Sequence, residues 1–318
     1  MEDRHGRKIS YLRISITDLC NLRCKYCRPE NGIRKINHED ILRIEEIEQI
    51  AKHFVALGVD KIRITGGEPL VRKGILALTE KLGNLENLKD FAMTTNGILL
   101  KDYAKQLKNA GLSRVNISID TLDARKYFSI TRGGNIRNVL EGIEEAKKAG
   151  LYPIKLNVVL IGGFNDNEVE DFVNLTRNEE MDVRFIELMP VGEVCSWSED
   201  KFISFTEVLN KVKELEPVPN EDISSPAAYY RLPNAKGRIG FISARSCKFC
   251  QYCNRVRLTA DGRLKPCLHS NEEINIKEPL RKGEDIEKMI RNAIFQKPQA
   301  HKLEYRQYAY RNMVEIGG

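Results

Sequence analysis

Long apolar runs are missing from this 318-residue sequence, and none approaches the ~20 residues of a membrane span. The opening residues, Met1 to Lys8, are charged and carry no apolar core, so no secretory signal is expected. The chain is therefore read as cytoplasmic, a compartment where thiols stay reduced. There is no low-complexity tract and no basic patch of the kind that binds nucleic acid. The net charge of +6 is mild; it suits a small anionic ligand and is too weak by itself to indicate nucleic acid. Disulfides are not needed as staples, because this length is ample for a buried core of one or two domains.

Against that background the eight cysteines stand out by their grouping. Cys20, Cys24 and Cys27 lie near the N-terminus; Cys250, Cys253 and Cys267 lie near the C-terminus. Cys247 precedes the second group, and Cys195 stands alone beside Trp197, where a structural role is expected. In a reducing compartment, grouped thiols read as ligands for zinc, Cu(I) or iron–sulfur centres.

The first half of the chain repeats one pattern. Gly58-Val-Asp-Lys-Ile-Arg-Ile, Gly111-Leu-Ser-Arg-Val-Asn-Ile and Gly150-Leu-Tyr-Pro-Ile-Lys-Leu align without a gap. Each follows a stretch of helical periodicity, at 45–57, 101–110 and 136–149. A glycine just past a helix fits a left-handed cap, and the alternation after it fits a strand. Further strands are expected at 11–17, 91–95 and 182–189, with a helix at 168–177 before the last. Six strands alternating with helices predict a parallel sheet curled into an incomplete (βα)6 barrel of the TIM type. Residues 1–190 would form it, and 191–318 a C-terminal extension. The segment 217–233, with four prolines, reads as a connector.

Alternation also assigns faces. Ile62, Ile64, Val115, Ile117, Ile154 and Leu156 should meet the helices. Arg13, Ser15, Thr17, Arg63, Thr65, Thr94, Asn116, Ser118, Lys155 and Asn157 would then line the concave side. A closed small barrel fills its interior with bulky apolar groups. Polar and basic residues in the same register on several strands instead predict a ligand-filled cavity, with Arg13, Arg63 and Lys155 converging on an anion.

Cys20-Asn-Leu-Arg-Cys24-Lys-Tyr-Cys27 is C-x3-C-x2-C, and it follows strand one directly. The C-terminal ends of barrel strands are where active sites form. Three thiolates in one loop can hold a [4Fe–4S] cube and leave its fourth iron open. A zinc site would want a fourth ligand, and only His38 is near. With Tyr26 before the last cysteine, and with Thr65-Gly66-Gly67-Glu68-Pro69 after strand two, the sequence resembles the radical S-adenosylmethionine (SAM) enzymes. The resemblance implies a cluster on Cys20, Cys24 and Cys27 whose open iron is chelated by SAM. It implies cofactor contacts at Tyr26, Gly67, Ser118 and Met189.

The second group, Cys250-x2-Cys253-x13-Cys267, brackets a predicted hairpin at 258–264 around Asp261-Gly262. By spacing alone a zinc knuckle, with Cys247 or His269 as fourth ligand, competes with a cluster. Residues Cys253 to Leu268, together with 182–190 and the terminal Ile316-Gly317-Gly318, resemble the GTP 3′,8-cyclase family of molybdenum cofactor biosynthesis. That resemblance implies a second [4Fe–4S] cluster, on Cys250, Cys253 and Cys267, which contacts GTP. Cys247 is not a ligand in the family pattern. Implied GTP contacts are Arg13, Arg63, Thr94, Lys155, Arg255, Val256 and Arg257, with Arg184 and Lys61 as further phosphate contacts. Gly317, Gly318, Arg255 and Arg257 are implied to be needed for catalysis.

The implied reaction begins with a 5′-deoxyadenosyl radical that abstracts the ribose 3′ hydrogen of GTP. The carbon radical attacks guanine C8, and reduction gives 3′,8-cyclo-7,8-dihydro-GTP. An electron donor and a downstream cyclic pyranopterin monophosphate synthase are implied partners, and the chain would act as a monomer or homodimer. Two other readings compete: a peptide-modifying radical SAM enzyme with an auxiliary cluster, and a non-catalytic zinc protein.

Overall fold

In the computed structural model, residues 1–33, 36–220 and 222–318 are described. The first two-thirds builds six strands in chain order: β1 (Tyr11–Ser15), β2 (Lys61–Thr65), β3 (Asp90–Thr95), β4 (Arg114–Ser118), β5 (Ile154–Leu160) and β6 (Met181–Glu187). Neighbours in sequence are neighbours in the sheet, and every pair is parallel. The helices between them are α1 (Ile44–Ala56), α2 (Ile75–Gly83), α3 (Leu100–Asn109), α4 (Ala124–Thr131), α5 (Ile136–Lys148) and α6 (Val169–Asn178).

The repeated glycines do what their position predicts. Gly58, Gly111 and Gly150 stand one residue past the C-caps of α1, α3 and α5, with φ of +94°, +92° and +74°. α5 shows the local logic at its other end. The Asn135 side chain accepts a hydrogen bond from the Arg137 amide at 3.0 Å, Ile136, Val139, Ile143 and Ala146 form the buried stripe, and Lys147 and Lys148 face the negative end of the helix dipole.

The C-terminal third goes further than an appended extension. Two short helices, α7 (Cys195–Asp200) and α8 (Phe205–Lys211), lead into β7 (Glu216–Val218), β8 (Ala228–Arg231) and β9 (Arg238–Ile242). β9 joins β6 in parallel, and β8 and β7 follow antiparallel. The chain then crosses to the opposite margin. β10 (Arg255–Leu258) pairs in parallel with β1, and β11 (Arg263–Lys265) and β12 (Ile274–Asn275) extend that edge. The predicted hairpin is present as β10–β11. The stretch 217–233 is not a plain connector: β7 and β8 fall within it, Pro217 sits on the outermost edge strand, and Glu221 lies outside the described residues.

Eight parallel strands therefore run side by side, from β10 through β1–β6 to β9. Laid flat at about 4.8 Å per strand, their margins would stand about 34 Å apart. Residues 243–254 span those margins, and they include a tight 3-10 turn at Cys250–Tyr252. Fully extended the link could reach about 40 Å, but turns at Ser243–Cys247 and Phe249–Cys253 shorten it, which fits a sheet curled toward a barrel rather than a flat one. Ile62, Ile64, Val115, Ile117, Ile154 and Leu156 are buried in the continuous apolar core outside it. Each such side chain contributes on the order of 1.5–3 kcal/mol. α9 (Lys277–Arg281), α10 (Glu287–Phe295) and a final short helix, α11 (Met313–Ile316), complete the chain. No helix among the described residues is long and apolar enough to cross a membrane.

α11 is held by a close approach at one glycine. Gly192 has φ +65°, and a Cβ there would stand 2.4 Å from Asn312 Oδ1. That same oxygen accepts the Glu193 amide at 3.0 Å, while Asn312 and Glu315 form the capping box of α11. Gly192→Ala should therefore cost about 1–3 kcal/mol, read as a lowered melting temperature by calorimetry. An unchanged melt would show that this loop gives way freely.

Candidate functional site

Strand register puts one set of side chains on the inner face. Arg13 is opposite Arg257 on one side and Arg63 on the other. Thr94 is opposite Asn116, which is opposite Lys155, which is opposite Asp182. The cavity is cationic and short of acids. Arg114 pairs with Asp90 at 2.6 Å, and Asp182 holds both Lys155 and Arg238, at 3.2 and 2.9 Å. Burial pushes the Asp182 carboxyl up, but Arg238 and Lys155 outweigh it and hold the group below its ordinary range. Arg13, Arg63, Arg184 and Arg257 have no side-chain carboxylate partner among the described residues.

These four guanidiniums feel one another. Burial, then Arg257 and Arg63, drive the Arg13 pKa well below its ordinary value. Burial is the main cause at Arg63 and Arg257, each brought to about 10. They stay charged at neutral pH, in a wall with little to offset them. Polar atoms here also lack partners: Tyr11 Oη, Ser15 Oγ, Thr65 Oγ1, Thr94 Oγ1, Asn116 Nδ2 and the Nε atoms of Arg13, Arg63 and Arg184. Buried polar atoms are normally satisfied, so this row of unmet donors and acceptors describes a polar, anionic ligand.

The chain's own C-terminus enters this face. Arg257 Nη1 donates to the Gly317 carbonyl at 2.7 Å, and Arg13 Nη2 to that of Gly318 at 2.6 Å. Gly317 has φ +85°, and a Cβ would lie 2.7 Å from Thr65 Oγ1 and 2.8 Å from Ser15 Cβ. Val314 and Ile316 anchor the segment; Ile316 packs with Val191, Ala309, Met189 and Leu268.

At the mouth lies the first cysteine group. Cys20 Sγ accepts the Leu22 amide at 3.3 Å and faces Asn96 Nδ2 at 3.8 Å. The Val314 amide reaches Cys27 from the tail. Burial pushes the Cys20 thiol up to about 11 and that of Cys27 to about 12, and with Cys27 close by it raises Cys24 well above its ordinary value. Three half-buried thiols, offset only in part by Arg28 at Cys20 and Cys27, suit a centre that brings its own positive charge, which an iron–sulfur cluster does. Tyr26 donates its hydroxyl to Asp120 at 2.6 Å. Gly67 lies flat on this loop: a Cβ would meet the Leu19 carbonyl oxygen at 2.3 Å. Glu68 braces the turn by accepting from Leu70, Thr95 and the Asn96 amide, and burial lifts it to about 7. Ser118 ends β4 on the inner face, and Met189 follows β6.

The second cysteine group sits on the β9–β10 link and the end of the hairpin. Burial raises the Cys250 thiol, as in the first group, but at Cys253 the balance is reversed. Burial raises Cys253, but Lys297 and Arg255 bring it down to about 7. Arg255 Nη1 lies 3.8 Å from Cys253 Sγ, and its other arm reaches the Ser224 carbonyl. Arg255 thus attends the second group more than the open cavity. Half-buried thiols beside fixed cations suit a net-anionic thiolate cluster. Among the described residues no three His, Cys, Asp or Glu side chains converge tightly enough for a single metal ion. Cys247 is exposed, and Cys195 opens α7.

Two expected contacts look different in three dimensions. Val256 falls on the opposite face, buried in the core in register with Leu12, so only its backbone is available to a ligand. Lys61 is drawn to Asp222 at 2.6 Å. Tyr11, Asp120 and Tyr229 were not legible as site residues. Tyr11 stands two residues before Arg13, so extending the same alternation finds it. Tyr229 lies over Gly240, whose missing side chain admits both this ring and Arg184.

Sequence comparison decides the lineage. The Radical SAM superfamily pattern matches residues 14–176, and that of the Molybdenum Cofactor Synthesis C family matches 181–303. The GTP 3′,8-cyclase of Peptoclostridium acidaminophilum is 58% identical over 317 residues, 99% of this chain and 98% of that one. The chain belongs to the GTP 3′,8-cyclase family of radical SAM enzymes. GTP 3′,8-cyclases of Alkaliphilus oremlandii and Clostridium botulinum are 54% and 49% identical, with both chains covered in full. Solved structures support the fold. Streptococcus suis SuiB has a TM-score of 0.62 at 15% identity, covering 93% of this chain and 68% of that one. SAM-bound anSMEcpe with the Cp18Cys peptide has a TM-score of 0.58 at 18% identity, covering 95% and 82%. Membership in this family brings a [4Fe–4S] cluster and SAM.

Proposed function

We propose that this chain cyclises GTP to (8S)-3′,8-cyclo-7,8-dihydroguanosine 5′-triphosphate, the first step of molybdenum cofactor biosynthesis. One observation carries the substrate: four inner-face arginines, Arg13, Arg63, Arg184 and Arg257, without a side-chain carboxylate partner among the described residues. A triphosphate supplies the missing charge, and guanidinium forks suit its oxygens. A peptide substrate would leave that charge unanswered, which disfavours the peptide-modifying reading.

The roles follow from position. Cys20, Cys24 and Cys27 hold the cluster, and Tyr26, Gly67, Ser118 and Met189 line the SAM site. Held there, the cluster and SAM would supply the deoxyadenosyl radical that takes the ribose 3′ hydrogen. Cys250, Cys253 and Cys267 hold a second [4Fe–4S] cluster that binds the guanine end. Arg13, Arg63, Thr94, Lys155, Arg255 and Arg257 orient the nucleotide, with the Val256 backbone beside them. Gly317 and Gly318 set Arg257 and Arg13 and help exclude water around the reacting carbons. Residues 1–190 carry radical generation and part of the nucleotide site, and 191–318 carry the second cluster and the rest of that site, within one continuous sheet. An electron donor would reduce the first cluster, the product would pass to cyclic pyranopterin monophosphate synthase, and the chain would work in the cytoplasm as a monomer or homodimer.

Anaerobic reconstitution with iron and sulfide, then dithionite, SAM and GTP, tests this directly. Mass spectrometry should find 5′-deoxyadenosine together with an isomer of GTP of unchanged mass. Deoxyadenosine with GTP untouched would keep the radical chemistry and reject the substrate.

A further inference from the structure

Outside the cavity, two buried cations converge on the second cysteine group from behind. Lys297 is 2% exposed and has no ion-pair partner among the described residues. Its ammonium donates to the Arg255 carbonyl at 2.8 Å and to the Pro266 carbonyl. Those carbonyls lie two residues past Cys253 and one before Cys267. Arg7, 8% exposed, donates through Nη1 to the carbonyls of Cys250 and Gln299 at 2.7 and 2.9 Å. Its Nη2 donates to the Pro298 carbonyl at 2.7 Å, and its Nε to Asp3 at 2.7 Å.

Every cysteine-bearing segment of the group is thus tied to one turn, Lys297-Pro298-Gln299, by one of two cations. Neutral carbonyls do not compensate a buried ammonium, which is costly without a negative partner. The thiolates of Cys253 and Cys267, on the segments whose carbonyls Lys297 binds, can supply that charge.

We propose that Lys297 and Arg7 are positioning residues for the second cluster: they fix the spacing of Cys250, Cys253 and Cys267, and Lys297 balances the cluster's negative charge. This rests on the reading of that triad as a cluster site. It assigns a role to the 297–299 turn and to Arg7.

The test uses the full chain with Cys20, Cys24 and Cys27 replaced by alanine, so that bound iron reports the second site alone. After anaerobic reconstitution, iron release to a chelator and the cluster's midpoint potential are measured. Lys297→Met should release iron about ten- to a hundredfold faster, as outer-shell losses do. Its potential should move to more negative values, because a nearby positive charge is gone. Lys297→Arg should keep the parent potential. Arg7→Lys retains charge but loses the fork, and should release iron faster at an unchanged potential. Parent-like release and potential in Lys297→Met overturn the proposal. If that variant fails to fold by circular dichroism, Arg7→Lys decides, and parent-like iron retention there overturns it. A parent that takes up no iron–sulfur centre would sink the second-cluster reading itself, and the proposal with it.

Discussion

Arg257→Ala should cut GTP cyclisation about a hundred- to a thousandfold, the usual loss when one fixed donor to developing or bound charge is removed. Arg257 is buried, lies opposite Arg13 on the adjoining strand, and holds the Gly317 carbonyl. Its removal takes a phosphate-facing cation and the anchor of the tail together. The effect on stability should have the opposite sign. In the free protein Arg257 is a desolvated cation that lowers the pKa of Arg13, so its loss relieves repulsion. The variant should melt no lower than wild type while turnover collapses, the signature of a strained functional residue. A melting temperature several degrees lower would mark Arg257 as a structural strut.

Gly317→Ala should cost about a hundredfold in cyclisation. The new methyl group would sit at 2.7–2.8 Å from Thr65 and Ser15 side-chain atoms, at a φ of +85° that alanine resists. Either β1 and β2 move or the tail does. The strands are packed on both sides, so the tail yields, and its two carbonyls leave Arg257 and Arg13. A displacement of about 1 Å at a reacting centre is enough for such a loss. Gly318→Ala should lose less, because its Cβ would meet only the flexible Met313 side chain, at 3.2 Å. Comparing the two kcat/KM values checks the argument, and equal losses would contradict it.

How much of this was legible depended on the range of the information. Alternation in β2, β4 and β5 is local, so it gave the strands, their faces and the cationic register. Gly58, Gly111 and Gly150 marked helix ends for the same reason. α4 was missed although Asp123, which caps it through the Arg125 and Lys126 amides, was visible. Its buried Tyr127, Ile130 and Thr131 are too few to show a period. β7 and β8 were hidden by prolines that sit harmlessly at an edge. The pairing of β10 with β1 joins residues far apart in sequence, and no local pattern encodes it. Without that pairing, Arg257 cannot be placed opposite Arg13, nor Gly317 between Ser15 and Thr65. The tail's importance entered through family resemblance, and its contacts through the fold.

The same pairing sets an order in time. A ribosome delivers β1 first and β10 only near the end of the chain, yet β1 needs β10 to cover its second edge. Throughout synthesis β1 is therefore an open edge strand, and the basic inner face stays in water, where its unpaired charges cost little. The loop of Cys20, Cys24 and Cys27 is likewise reachable before the last residues arrive. Gly317 and Gly318 come to rest against Arg257 and Arg13 only once β10 has paired with β1, so the inner face that β1 begins is completed late.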